Sequence, residues 1–488
     1  MDVATIRSMK KDLKKYLSEF DDCFCRRGSR RGLRTYIRGQ LSELPRKSIE
    51  PMALEAGVTP RTLQCLITNL PWDEQRFRDK TQRIVARDHS HPLAVGTIDD
   101  TGHPKKGTHT PGVQRQWCGN TGKVDNCIVG VHLGYGVDDF QCLLDSTLFL
   151  PESWAPDLQR RHRAGIPDEV VYRTKQAIAL DQVRRAIGNG IRVGAWTFDA
   201  FYGRDGEFLD GLEGLGQNYV AQVPKDFTGW VQEPEVLLSP TARDRHRRGR
   251  KRHYPRLSAK ASPASEVRNL LMYSRAFQDQ SWVRYHIKEG EKGPLVWEVK
   301  HAVFYRKQGP DGLPGPLHEL IVARNAVHPE EIKYFVSNRV SGCGGVTLES
   351  QLHVAFSRFS VERCFELSKQ EVGMGDCELR TWTGIHRHWY ISQVSLLFCA
   401  QMQQKLREKN DRGIVSDGRT DSCGGQCLRS GPIPVAAGSE KVVSENRPDH
   451  RLSSATQPQR PRGPYENHAG SVTVSRYRGR IPAILCAT

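Results

Sequence analysis

Between Leu93 and Lys106 the chain reads LAVGTIDDTGHPKK, a short apolar run that ends in two adjacent carboxylates and is followed by a glycine, a proline and two lysines. Small and β-branched residues in so short a run specify a buried strand. Gly102 and Pro104 stop it, which puts Asp99 and Asp100 at the strand's carboxyl end, where open α/β sheets collect their ligand groups. Side chains alternate along a strand, so only one of the two carboxylates can face a given site. An Asp-rich turn after an edge strand would read the same way in isolation, and the rest of the chain has to decide between the two.

The charge balance narrows the partner. Lys and Arg number 72 against 55 Asp and Glu, giving a net charge of +17 over 488 residues, which points to a polyanion, nucleic acid before membrane surface. No run reaches the roughly 18 apolar residues of a membrane span, and the opening MDVATIRSMKKDLKK lacks the apolar core of a signal peptide. A cytoplasmic protein is expected. The 13 cysteines, an odd number without regular spacing, are expected as reduced thiols. Cys23 with Cys25 and Cys423 with Cys427 each lack a matching second pair, which argues against a zinc site.

In chain order, residues 1–90 read as helical and basic. Within them Pro45 to Leu70 gives a helix, a turn at Gly57 and a second helix with Thr59 as N-cap and Pro60 as first residue. That is the helix-turn-helix outline, shared by any helical hairpin; as a DNA reader it would expose Arg61 and Gln64. The fragment GNTGK suggests a phosphate loop but has Trp117 where a glycine is required and Val124 where a hydroxyl is required. CIVGVHLGYGV and FQCLLDSTLFLP read as two strands of an antiparallel meander, and Asp168 to Gly188 as a helix. Ile191 to Asp199 repeats the opening theme, an apolar run closed by one carboxylate.

From Asn218 to Ser350 the pattern is mostly strand-like. It is interrupted at 241–260 by a strongly basic run in which Arg247, Arg248, Arg250 and Lys251 are natural phosphate contacts, although such a run can equally be a solvated loop. Trp230, Trp282 and Trp297 in the same region read as core. Ala355 to Gly373 follows as a helix. Val361, Phe365 and Val372 form its apolar face, and Arg358, Glu362 and Lys369 a second face about a quarter turn away. A carboxylate between two cations can be simple ion pairing; it is also what a site needs to hold a metal under a phosphate chain. A last amphipathic helix follows Trp382, and from about Arg412 a Gly-, Ser-, Pro- and Arg-rich tail is expected to be disordered.

Three carboxylates in this order, two closing strands and one on a helix, resemble the DDE transposases of bacterial insertion sequences. Arg358, Glu362 and Lys369 match the R-x3-E-x6-K part of the signature Y-x2-R-x3-E-x6-K, with Ala355 where the Tyr belongs. IDDTGHPKKG, VQRQWCGNTGKVDNC and RCFELSKQEVG are similar to the group named after insertion sequence seven-zero-one. The resemblance spans about residues 20–400. It implies an α/β fold: a ribonuclease-H-like mixed sheet flanked by helices, with a β-rich insertion and an N-terminal helical domain. The divisions expected are a helical DNA-binding part at 1–90, the catalytic core at 91–215 and 351–411, the insertion at 216–350 and the tail at 412–488. It further implies catalysis by Asp100, Asp199 and Glu362 on two Mg2+ or Mn2+ ions, with Asp99 as the reserve for the first ligand, and Arg358 and Lys369 gripping the DNA end. The implied partners are double-stranded DNA, as terminal inverted repeats and target, and a second copy of the chain, in a nucleoid-associated setting. A nuclease of the same fold without strand transfer and an inactive DNA-binding relic are the alternatives. The tail departs from what the group would carry there.

Overall fold

The computed structural model describes residues 3–416, apart from 239–252, 291–292, 310 and 377. The basic contacts expected at Arg247, Arg248, Arg250 and Lys251, and almost all of the expected tail, lie outside the described residues.

Amphipathic periodicity in the first 90 residues resolves into five helices, α1 (Val3–Ser18), α2 (Arg27–Gln40), α3 (Ile49–Glu55), α4 (Pro60–Thr68) and α5 (Glu74–Asp88). Gly57 makes the turn between α3 and α4 at φ +64°, a left-handed conformation that glycine adopts without a Cβ penalty. Pro60 starts α4 as expected, but the Thr59 hydroxyl bonds the Thr62 hydroxyl at 3.0 Å instead of capping the helix. Leu63, Leu66 and Ile67 turn inward while Arg61 and Gln64 are exposed, which leaves the outer face of α4 free of packing duties.

The apolar faces of these helices close on the rest of the chain. Leu13, Phe20, Tyr36, Leu66 and Phe77 share one cluster with Ile98, Phe198 and Ile391. Polar contacts follow the same path: Tyr16 Oη donates to the Val394 carbonyl at 3.0 Å, and Arg78 forks onto the fully buried Asp145 at 2.7 and 2.8 Å.

The expected strands form. β1 (Val95–Pro104), β2 (Gln114–Cys118), β3 (Lys123–Val137) and β4 (Phe140–Leu148) precede α6 (Leu158–Arg163) and α7 (Lys175–Gly188). Gly102 and Pro104 do not stop the first, however: pairing with β3 along its whole length carries β1 through Asp99 and Asp100 to Pro104, so the two carboxylates lie in mid-strand and not at its carboxyl end. Helix α7 begins later than Asp168 because the Thr174 hydroxyl caps it, accepting the Ala177 N–H at 3.1 Å. β5 (Ala195–Phe198), α8 (Ala200–Gly203), α9 (Gly206–Gly214) and β6 (Tyr219–Val223) complete a five-strand core. In it β4, β3 and β1 run antiparallel to their neighbours, whereas β1, β5 and β6 are parallel. Parallel strands need crossovers, and α7 and α8–α9 supply them.

The insertion continues the same sheet. β14 (Ile332–Ser337) pairs with β6, followed outward by β13 (Leu313–Asn325) and β12 (Gly293–Gln308), with β11 (Val283–Gly290) and β7 (Thr228–Trp230) on β12 and β10 (Ser265–Glu266) beyond β7. A separate ribbon of β8 (Val236–Leu237) and β9 (Arg256–Leu257) stands on either side of the undescribed basic run. Trp230 and Trp297 are buried, as core residues should be.

The single helix expected at Ala355 to Gly373 is two, α10 (Leu348–Phe356) and α11 (Phe359–Gln370). At the break the Ser357 hydroxyl bonds back to the His353 carbonyl at 2.6 Å, a local bond that competes with helix propagation. The final helix α12 (Trp382–Ser416) runs through the centre of the core. No described helix is long and apolar enough to cross a membrane.

Candidate active site

The register of three strands and the seating of one helix build the site. Ile98 of β1 lies beside Phe198 of the parallel β5, the last pair between them, so Asp199 leaves β5 beside Asp99, where β1 runs on against β3. Asp199 also opens α8, where its carboxylate accepts the Phe201 and Tyr202 N–H groups at 3.0 and 3.3 Å. That capping role fixes the chain's turn at the strand end.

Helix α11 crosses the sheet on the face of Thr97 and Asp99. Val361 and Phe365 are its buried anchors. The helix comes this close because β3 has Gly134 opposite Thr97, where a Cβ would overlap the Thr97 hydroxyl and press on Val361. Phe365 meets the His132 ring edge-on, and His132 is the cross-strand partner of Asp99, so the helix and Asp99 share one face.

From the α10–α11 junction Arg358 reaches both carboxylates that belong to this face, Asp99 at 3.2 Å and Glu362 at 2.9 Å. Glu362 remains 43% exposed at the side chain, whereas Asp99 is 17% exposed. Lys369, two turns further along α11, donates to the Thr101 hydroxyl at 2.7 Å and to the Asn120 side chain at 3.4 Å. Arg358, which holds Glu362, and Lys369 therefore reach the middle of β1, at Asp99 and Thr101.

Asp100 takes the other face of β1. Its carboxylate accepts from Lys175 at the start of α7 at 2.9 Å, and Lys175 in turn sits over the Phe149 and Phe201 rings. The first choice from sequence, Asp100, and the reserve, Asp99, thus have different partners: Asp99 bonds Arg358 and Asp100 bonds Lys175, while both interact with the Asp199 carboxylate.

Electrostatics marks the same place. Burial, then the neighbouring Asp199 carboxylate, pushes Asp99 up to about 7, and Arg358 only partly offsets this. Asp199 is also raised, first by burial and further by the Asp100 carboxylate, against the backbone N–H bonds and Arg358 that favour its charged form. Two carboxylates that resist ionising together are short of positive charge. Oxygen donors of this kind suit a hard divalent cation, so the residues fit the implied metal. With Arg358 between Asp99 and Glu362, no group of three or more His, Cys, Asp or Glu among the described residues stands assembled to hold an ion.

Sequence reasoning passed over Lys175, Thr101 and Asn120, which come from α7, the far end of β1 and the β2–β3 turn. Their partners lie 75, 268 and 249 positions away, so no local pattern announces them. Tyr202, fully buried beside Asp100, Asp99 and Asp199, was also missed.

A large mixed sheet of this order, flanked by helices, is the architecture of the ribonuclease-H-like class. The sequence pattern of the DDE superfamily endonuclease family matches residues 19–294, more than half of the chain. The chain belongs to that family. The matched segment includes Asp99, Asp100 and Asp199 and ends before Glu362. A further similarity is to the "Probable transposase for insertion sequence element IS701" of Microchaete diplosiphon, 32% identical over 187 residues that make up 38% of this chain and 46% of that protein. The chain thus spans about half the length of the curated relative it matches.

Proposed function

We propose that this chain is the transposase of an insertion sequence, binding the ends of its element and catalysing metal-dependent strand cleavage followed by strand transfer. The observation that carries the reading is the meeting of Asp99 and Asp199 just past the last β1–β5 pair, beside the Arg358–Glu362 arm of α11.

Asp99, Asp199 and Glu362 are the residues that would hold Mg2+ or Mn2+, two ions in the complete site, and Asp99 takes the place first given to Asp100. Bound there, such ions supply charge to the attacking and leaving oxygens of a phosphodiester. The chain's own residues do the rest. Arg358 neutralises Asp99 and Glu362 until the site is filled, and is then free to turn its guanidinium fork to a phosphate. Lys369 presents an ammonium along the same helix, and Thr101 and Asn120 hold that ammonium in place. Asp100 with Lys175 braces the opposite face of β1, fixing the strand that carries Asp99. Arg61 and Gln64 on the exposed face of α4 would read a major groove, and Arg247, Arg248, Arg250 and Lys251 would contact phosphates. Two ends must be joined, so the working form is a homodimer on double-stranded DNA, in the bacterial cytoplasm.

The test is an assay with purified protein, Mg2+ and a plasmid carrying the inverted repeats that flank the gene. Excision of the repeats and their joining to target DNA support the reading. Cleavage without joining leaves a nuclease; binding without cleavage in either Mg2+ or Mn2+ leaves a DNA-binding relic.

A further inference from the structure

The hairpin of β2 and β3 carries an exposed tryptophan. Trp117 is 64% exposed, and so is much of its cross-strand partner Val124, at 53%. Alternation along β2 explains which way it faces: Cys118 is buried against β1, and Trp117, one residue earlier, turns outward together with Arg115. The hairpin is seated on the strand that bears Asp99. A Cβ on Gly102 would lie 2.7 Å from the Cys118 sulfur and 3.1 Å from its Cα, so only glycine lets the hairpin lie this close to β1. Its turn is closed by Thr121 and Gly122 N–H bonds to the Cys118 carbonyl at 3.0 and 2.9 Å, with Gly122 at φ +63°. From that turn Asn120 meets Lys369 of the helix that carries Glu362.

Trp117 therefore stands at the rim of the candidate site, on an element tied to both its strand and its helix. The side chains around it are cationic: Arg115 and Lys123 are exposed on the same hairpin, against one half-buried carboxylate, Asp125. A flat aromatic surface between cations, facing solvent, matches a nucleobase on a phosphate backbone, because every base offers a π-face and the strand's charge is met alongside.

We propose that Trp117 stacks on an unpaired base of the DNA strand lying across the site, holding the strand end in position for cleavage by Asp99, Asp199 and Glu362. The proposal rests on the transposase reading given above. It makes Trp117 a positioning residue that recognises any base, since stacking carries no hydrogen-bond code.

The experiment compares two DNA duplexes, one blunt and one ending in an unpaired 2-aminopurine, bound to the full chain and to the Trp117→Ala and Trp117→Phe variants. Wild type should quench the 2-aminopurine emission. W117A should return it to the level of free DNA and bind the frayed end about tenfold more weakly, with little change on the blunt duplex. W117F should recover most of the quenching, which a merely structural role would not predict. Quenching and affinity unchanged in W117A would overturn the proposal, as would equal losses on both duplexes. A change of sedimentation without a change of emission would overturn it in favour of an interface between copies of this chain. If wild type binds neither duplex, the DNA reading itself fails; if wild type binds both and W117A matches it, only the stacking fails.

Discussion

Asp99 and Asp100 are adjacent in sequence and face opposite sides of one strand, the first bonded to Arg358 at 3.2 Å and the second to Lys175 at 2.9 Å. The pleat of β1 thus gives two chemically equal carboxylates different partners, one on α11 and the other at the start of α7.

The N-terminal helices are held to the sheet by charge as well as by apolar contact. Arg78 of α5 bonds Asp145 of β4 through three N–H contacts of 2.7, 2.8 and 3.1 Å, and the Asp145 side chain is wholly buried. Arg185 adds a longer contact at 3.7 Å. Arg78→Ala would leave a buried carboxylate with the Ser146 N–H at 2.8 Å and the distant Arg185 as its partners. It should lower stability by about 3 to 5 kcal/mol in a denaturant titration. A loss below about 1 kcal/mol would mean that water reaches Asp145.

Three buried histidines predict acid sensitivity. Burial pulls His386 and His388 down to about 4 and His132 to about 3. The bonds agree with neutral rings: His386 Nε2 accepts the Leu148 N–H at 3.1 Å, and His388 Nδ1 accepts from the Tyr36 hydroxyl at 2.7 Å while its other nitrogen donates to the Met374 carbonyl. Above about 6.5 both folded and unfolded states carry neutral rings. Below it the unfolded chain takes up protons that the folded chain refuses, so stability is full above that pH and is lost as pH falls toward about 4. The slope should be about 1.4 kcal/mol per pH unit for each histidine. Unfolding midpoints between pH 7 and pH 5 check this, and a flat profile would contradict it.

DNA affinity should depend steeply on salt, given the net charge of +17. Covering roughly 6 to 10 phosphates implies a fall of about a thousandfold or more between 50 and 200 mM salt. Arg247, Arg248, Arg250 and Lys251 changed together to Ala should weaken binding to all sequences alike. Arg61→Ala should instead relax preference at particular base pairs. A salt-insensitive titration would remove nucleic acid as the partner.

Much of this fold was legible because its signals are local. The apolar runs ending at Asp99 and Asp199, the meander of β3 and β4 and the spacing of Arg358, Glu362 and Lys369 all sit within single elements. The start of α7 was harder to read, since it turns on whether one hydroxyl, that of Thr174, caps a helix. The break before α11 was missed because it rests on the back-bond of Ser357. The choice between Asp99 and Asp100 could not be read from the run itself, because alternation says only that they differ. The partners that distinguish them, Arg358 from 259 positions away and Lys175 from 75, lie outside any local pattern.

The claim most exposed to test is that Asp99, and not Asp100, completes the set with Asp199 and Glu362. Nicking of an oligonucleotide carrying the element end, in Mg2+, should be measured for Asp99→Ala, Asp100→Asn, Asp199→Ala and Glu362→Ala, beside a gel shift on the same DNA. Asp99→Ala, Asp199→Ala and Glu362→Ala should each lose about a thousandfold or more in cleavage, equivalent to ~4 kcal/mol of transition-state stabilisation, with binding nearly unchanged. Asp100→Asn, which keeps a hydrogen bond for the Lys175 side, should cut within about tenfold of wild type. Cleavage retained without Asp99 and abolished without Asp100 would contradict the account.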